Sequence, residues 1–452
     1  MSTIDRSHLQ ELMERERETF RARHPGSGRL AAKAQANLLY GVPMTWMTRW
    51  PGDYPVFVDR AEGARFWDVD GNEFIDLCLG DTGAMAGHAP KASVAAIAHQ
   101  AANGITLMLP TADAEWVAGE LARRFVVPIW SFTLTATDSN RFVIRWARSL
   151  TGRDKIVVHN WCYHGSVDES FASLDPQGNV VVRESNIGNP VPLDETTRVV
   201  EINDLDGLAA ALAHGDVAAC LFEPALTNIG IVLPEPGYHE RVRELCTEYG
   251  ALLIIDETHT ISAGPGGCTR AWGLEPDFVT VGKTLGAGIP SAAYGMTTDV
   301  ADRIYANPDY KFADVGGIGG TLAGNALSLA AMRATLSDVL TNESFEQMIE
   351  LGERFERGVQ EVIDSRRLPW HVTRLGCRVE YLFRAEPARN GTEANAGQDD
   401  DLDPFIHLYL LNRGILMTPF HNMSLMSPAT TAADVDRHSE VFAEAVDELI
   451  GG

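Results

Sequence analysis

An α/β fold with a large, mostly parallel sheet is what this sequence of 452 residues predicts, and three observations predict it. Between about Pro90 and Thr321, short apolar runs alternate with helical stretches, the pattern of strands joined by crossover helices. The runs Ala251-Leu252-Leu253-Ile254-Ile255 and Phe278-Val279-Thr280-Val281 are nearly continuous in apolar character, as strands buried on both faces are. The first run ends in Asp256-Glu257 and the second in Gly282-Lys283, and a parallel sheet gathers its chemistry at such strand ends.

Taken in order, Ser7 to Phe20 carries Glu and Arg at helical spacing and reads as an exposed helix. The stretches Tyr54 to Val58, Arg65 to Asp68 and Phe74 to Leu77 are separated by turn signals at Glu62-Gly63 and Asp70-Gly71-Asn72, which predicts a small antiparallel sheet. Lys155-Ile156-Val157-Val158, Ala218 to Phe222, Leu252 to Ile255 and Phe278 to Val281 are the strands of the large sheet. From about Ala331, a long helical pattern, a strand candidate at Cys377 to Phe383, a polar acidic loop at Glu393 to Asp403 and a closing helix from Ala433 to Ile450 form a smaller α+β part. The expected division is an N-terminal helix and arm over 1–60, a large α/β domain over 61–330 and a small domain over 331–452.

A formal net charge of −25 disfavours nucleic acid and anionic membranes as partners. The six cysteines are widely spaced with no CxxC pair, which indicates neither a metal site nor a disulfide framework and fits a reducing cytoplasm. Residues 1–23 are densely charged, and no apolar stretch of spanning length follows, so neither export nor membrane insertion is expected.

Lysine is scarce: besides Lys283 there are only Lys33, Lys91, Lys155 and Lys311. An amine at a strand end can form a Schiff base with a carbonyl, and a buried acid such as Asp256 can hold a pyridinium nitrogen protonated. Further groups accompany them. Thr133 to Asn140 places small and hydroxyl residues, Thr135, Ala136 and Thr137 among them, at the opening of a helix, where free N–H groups and the helix dipole favour an anion. Tyr163 follows the strand at Ile156 to Val158 and can stack on a flat ring. Glu223 ends another strand, and Gly319 to Asn325 is a Gly-rich loop containing Thr321.

On these residues the chain resembles the class III aminotransferases, fold type I enzymes that use pyridoxal 5′-phosphate. Within that class it is similar to glutamate-1-semialdehyde aminomutase and the β-amino-acid transaminases, from about Gly41 to the C-terminal helix. The resemblance implies that Lys283 is the Schiff-base lysine, Asp256 the partner of the pyridine nitrogen and Tyr163 the ring-stacking aromatic. It implies that Thr135, Ala136 and Thr137 form the phosphate loop, that Glu223 is the acid of a Glu-Pro motif, and that Thr321 reaches the phosphate from the other subunit of a homodimer. There are departures. The usual Ser-Gly-Thr-Glu-Ala loop is here Thr135-Ala136-Thr137-Asp138-Ser139, and Thr258 replaces a valine that packs on the cofactor. The Thr258 hydroxyl is free to bond the cofactor's phenolic oxygen or a neighbour. His259 is unusual at its place and reads first as a structural histidine.

The substrates implied are a small-molecule amine and a keto acid. Related β-amino-acid transaminases carry carboxylate-binding arginines where Trp46 and Phe420 stand here, which favours an amine with an apolar or extended side. The expected substrate pocket comprises Trp46, Tyr163, Phe420, His421 and Arg378, with Arg49 as a second candidate for a carboxylate. An aminomutase or a β-amino-acid transaminase is the alternative enzyme. A non-catalytic regulatory module that binds the cofactor is disfavoured, because Lys283, Asp256 and Tyr163 are all present and no DNA-binding helix-turn-helix is attached.

Overall fold

The computed structural model describes residues 4–184, 186–419 and 421–451. Two compact units emerge. The larger holds residues 91–342 and 388–396, and the second holds residues up to Pro90, 343–387 and those from Gly397 onward.

The larger unit is built on a seven-stranded sheet: β1 (Ile129–Thr133), β2 (Lys155–His159), β3 (Thr197–Val200), β4 (Val217–Phe222), β5 (Leu252–Asp256), β6 (Phe278–Val281) and β7 (Ala292–Met296), in the spatial order β1-β7-β6-β5-β4-β2-β3. Pairing is parallel throughout, except that β7 runs against both β6 and β1. Strands β4 to β7 are buried at every position, so their continuous apolar runs are what a sheet covered on both faces demands. The register sets Asp256 beside Thr280 on adjacent strands. Helix Ala136–Thr151 follows β1, starts on the Thr135 cap and ends at Gly152, whose φ of 66° suits glycine at a left-handed stop.

In the second unit, helix Arg6–Arg23 starts on Asp5, whose carboxylate accepts from the Ser7 and His8 amides. Its Glu16 accepts from Asn412 Nδ2 at 2.9 Å and Arg413 Nη1 at 3.0 Å, on and just after helix Leu402–Asn412. Phe20, Phe66, Phe74, Leu408 and Leu411 form its aromatic-rich core. Strands Val58–Glu62, Arg65–Asp68 and Glu73–Asp76 are antiparallel, as the turn signals predict, with the first beginning where Tyr54 to Val58 ends.

The unit boundaries differ from those read in the sequence. Strand Glu73–Asp76 pairs in parallel with Ile415–Leu416, which ties the 61–76 segment to the C-terminal part rather than to the large sheet. Helix Ala326–Asp338 belongs to the larger unit, where Thr335 Oγ1 meets Ser93 Oγ at 2.9 Å. The acidic stretch from Glu393 is not wholly loop: Asn390 caps a short helix, Gly391–Asn395, and Leu402 opens another.

Candidate active site

Five parallel strands of the larger unit deliver polar groups at their C-terminal ends: Thr135 after β1, Tyr163 and His164 after β2, Glu223 after β4, Asp256 on β5 and Lys283 after β6. Chain direction and register thus bring together residues scattered over 149 positions from Thr135 to Lys283.

Asp256 is buried, and its carboxylate accepts hydrogen bonds at both oxygens. Oδ1 accepts from Thr258 N at 3.0 Å and Thr258 Oγ1 at 2.6 Å. Oδ2 accepts from Asn140 Nδ2 at 2.8 Å and contacts His164 Nδ1 at 2.9 Å. Asn140 is itself fixed, accepting from Thr280 Oγ1 at 2.7 Å. Burial alone would push the Asp256 carboxyl up, but the contacts with His164, Thr258 and Asn140 outweigh it and bring the pKa down to about 2. For His164, burial acts downward, while Cys162 and the Asp256 carboxylate act upward and carry it to about 10. The site therefore holds a buried anion whose charge is secured by the protein. The Thr258 hydroxyl, left open between cofactor and neighbour on sequence grounds, is donated to Asp256.

That pair makes stability depend on pH. Asp256 is depressed from 3.8 to about 2, so its contribution is present above about 3.8 and is lost as pH falls through 2. His164 is raised from 6.5 to about 10, so its contribution is complete below 6.5 and is lost as pH rises through 10. The thermal midpoint of the cofactor-free protein is expected to be level between these limits and to fall on both sides. His164→Gln should flatten the alkaline fall, and an unchanged alkaline limb in that variant would remove His164 from the pair.

Lys283 leaves β6 through Gly282. A Cβ at Gly282 would lie 3.1 Å from the Cβ atoms of Ala136 and Ala292 and 3.2 Å from the Ala136 amide nitrogen, so the turn closes against the opening of helix Ala136–Thr151. Lys283 itself has a φ of 52°, a left-handed conformation that costs an L-residue roughly 1–2 kcal/mol. Such strain at a residue with chemistry points to a functional constraint. Its Nζ lies 2.7 Å from Nε2 of His259, a buried ring.

At the helix opening, the Thr135 hydroxyl accepts from Asp138 N at 3.1 Å, and Thr137 Oγ1 accepts from Ser166 N at 3.1 Å. The first amides of such a helix have no acceptor within it. Gly165, with a φ of 76°, lies so close that an added Cβ would meet Thr137 Oγ1 at 2.0 Å. Tyr163 is 41% exposed, while its amide reaches Glu223 Oε1 at 3.4 Å. Glu223 is buried, which raises its carboxyl, and it accepts from Thr227. The neighbouring Glu257 is a structural acid, bound by Thr260, Thr269 and the Cys268 amide. Thr321 is exposed on a turn of the same unit.

The remaining expected residues lie in the second unit. Trp46 is 42% exposed on the 3-10 turn Thr45–Thr48, and Arg49 follows it. Arg378 is a fully buried side chain on strand Arg378–Leu382, with Nη1 3.5 Å from Asp81 Oδ1, so it is not a mobile surface group. His421 is buried with Nδ1 2.8 Å from Glu380 Oε1. Phe420 lies outside the described residues.

The residues around Asp256 and Lys283 fit pyridoxal 5′-phosphate: a secured anion for a pyridinium nitrogen, helix amides for a phosphate, an accessible aromatic face and an amine. Asn140, His164 and Thr280 were missed in the sequence. Asn140 ends a segment singled out there and His164 directly follows Tyr163, but nothing local shows that both converge on Asp256.

The profile of the family described as Aminotransferase class-III matches residues 46–446. A glutamate-1-semialdehyde 2,1-aminomutase of Chloroflexus aggregans is 33% identical over 413 residues, covering 88% of this chain and 92% of its own. A crystal structure of a glutamate-1-semialdehyde-aminomutase from Pseudomonas aeruginosa PAO1 superposes with a TM-score of 0.96 at 50% identity, covering 99% of each chain. An omega-transaminase from Sphaerobacter thermophilus superposes with a TM-score of 0.84 at 28% identity, covering 94% of this chain and 97% of its own. No helix among the described residues is long and apolar enough to cross a membrane. Family profile, relatives and the fold type I architecture agree, and the chain belongs to the class III aminotransferases, which are pyridoxal phosphate-dependent enzymes.

Proposed function

We propose that this enzyme moves an amino group between a small amine and a keto acid, with Lys283 and Asp256 as its catalytic residues. The carrying observation is their placement: an amine and a buried, ionised carboxylate at the ends of two adjacent parallel strands, registered through Asp256 and Thr280. Asp256 would hold the pyridine nitrogen, Tyr163 the ring face, and Thr135, Ala136 and Thr137 the phosphate. When bound, pyridoxal 5′-phosphate supplies a cationic ring that accepts the electron pair left as a C–H bond beside the amine breaks. Lys283 Nζ accepts that proton and returns it to a second carbon, as general base and then acid. Glu223, a buried acid whose carboxyl burial raises, would be a further contact of the cofactor. Thr258 and His164 keep Asp256 charged through the cycle.

The working unit is inferred to be a homodimer in which the partner's Thr321 completes the phosphate site. The larger unit exposes the apolar side chains Leu107, Met108, Leu109, Phe312, Val315 and Leu322, of the kind a partner subunit covers.

A second reading has its own support. The relatives of 33% and 50% identity described above are both named as glutamate-1-semialdehyde aminomutases, and an intramolecular shift of an amino group needs no second carbonyl substrate. The two readings separate in one experiment. The purified enzyme is offered apolar amines with and without a keto acid, and glutamate-1-semialdehyde alone. Turnover of an amine only when a keto acid is present supports the transaminase. Sustained turnover of glutamate-1-semialdehyde alone overturns it in favour of the mutase.

A further inference from the structure

We propose that His259 is a positioning residue for the Lys283 amine, a role that rests on Lys283 being the cofactor-linked lysine. The contact is specific. Nζ and Nε2 are 2.7 Å apart, and the imidazole is only 4% exposed. Both residues are placed by the same sheet register, since His259 stands as far past Asp256 as Lys283 stands past Thr280, and Asp256 and Thr280 are paired.

Each side of the contact is anchored independently. Beyond β5, Glu257 sinks its carboxylate onto Thr260 and onto the amide and hydroxyl of Thr269, which pins the backbone on both sides of His259. His259 directly precedes the 3-10 turn Thr260–Ala263. Beyond β6, the positive φ of Lys283 turns its side chain out of the strand direction. The ring is therefore a fixed object against which a flexible amine is aimed.

Hydrogen-bond chemistry gives the contact a meaning. Two nitrogens at this separation need one lone pair between them, and an ammonium has none. Nζ therefore donates to a lone pair on Nε2, or a neutral amine accepts from Nε2–H, and at most one of the two groups is a cation. In the first arrangement one N–H of the amine is tied to His259, and this fixes the direction of the amine's remaining lone pair. When Nζ takes a proton from carbon and becomes an ammonium, the same Nε2 lone pair accepts one of its N–H groups. His259 thus aims the amine before the transfer and stabilises the cation during it. No proton need leave Nζ for the ring.

The test compares His259→Ala, His259→Gln and His259→Asn in the full-length enzyme. A glutamine amide oxygen reaches about where Nε2 stands, and an asparagine falls short. His259→Ala should slow the single-turnover half-reaction by about 10- to 100-fold, the worth of a hydrogen bond to a charged group, with KM little changed. It should also raise the isotope effect for substrate deuterated at the reacting carbon. Cofactor-free His259→Ala protein should take up pyridoxal 5′-phosphate covalently about 10-fold more slowly. His259→Gln should recover most of each loss and His259→Asn should not, a comparison that holds even if the alanine variant fails to fold. Glutamine no better than asparagine, or alanine at wild-type rate with an unchanged isotope effect, overturns the proposal. Borohydride labelling of the wild-type enzyme at a lysine other than Lys283 defeats instead the reading on which it rests.

Discussion

Lys283→Ala is expected to reduce turnover by about 10⁴-fold or more, the upper end of what a positioned acid–base group contributes and the largest effect of any single substitution in this chain. Two losses combine in it. The covalent hold on the cofactor goes, and so does the group that moves the proton. Neither has a substitute nearby. Lys155, the next lysine on the sheet, stands at the opposite end of its strand, with Nζ on the Asp194 carbonyl at 2.7 Å. His259 lies beside the missing amine, yet without a covalent link it cannot hold the reacting carbon in place. The fold should survive, because the left-handed turn at Lys283 is held by the packing of Gly282 on Ala136 and Ala292 rather than by the lysine side chain. The checks are single-turnover absorbance changes, thermal midpoint, and borohydride reduction followed by peptide mapping. The wild-type protein should be labelled at Lys283 and the variant nowhere. Labelling of another lysine, or a variant retaining a per cent of wild-type rate, would remove Lys283 from the centre of the mechanism.

What the sequence made legible follows from range. Strand ends were readable because the signal is local: an apolar run that stops at an acid or a lysine marks Asp256, Glu223 and Lys283 without reference to anything distant. The parallel sheet was readable for the same reason, since β4 to β6 are buried at every position and write themselves as unbroken apolar runs. Partnerships were not readable. Asn140 reaches Asp256 across 116 positions and His164 reaches it across 92, and neither carries a local mark that it faces an acid. His259 read as a structural histidine because its contact, 24 positions away, depends on two loops beyond paired strands. The compact units differ from the division read in the sequence on the same grounds. The pairing of Ile75 with Ile415 joins distant segments in parallel, and parallel pairing leaves no hairpin turn in the sequence to announce it.

Asp256→Asn should keep the cofactor, through Lys283, and lose about 10²- to 10³-fold in the half-reaction, the range of about 2.7–4 kcal/mol measured for removing one preorganised electrostatic contact. The substitution is nearly isosteric, so the argument turns on charge and on hydrogen-bond count. The carboxylate accepts at both oxygens: from the Thr258 amide and hydroxyl on Oδ1, and from Asn140 on Oδ2 beside His164. An asparagine has a single acceptor oxygen. Turned toward Thr258, it sets its own NH₂ against the Asn140 NH₂, and turned the other way, it sets that NH₂ against the Thr258 amide. Either orientation leaves a buried donor facing a donor, at about 1–3 kcal/mol in stability. His164 responds as well. The carboxylate is among the groups that raise it against burial, so the variant should lose much of the alkaline fall in thermal midpoint between pH 6.5 and 10. A fixed anion beside the ring nitrogen and a shared pH limb with His164 are thus two readings of one charge. Rates near wild type in Asp256→Asn would deny it the first role, and an unaltered alkaline limb would deny it the second.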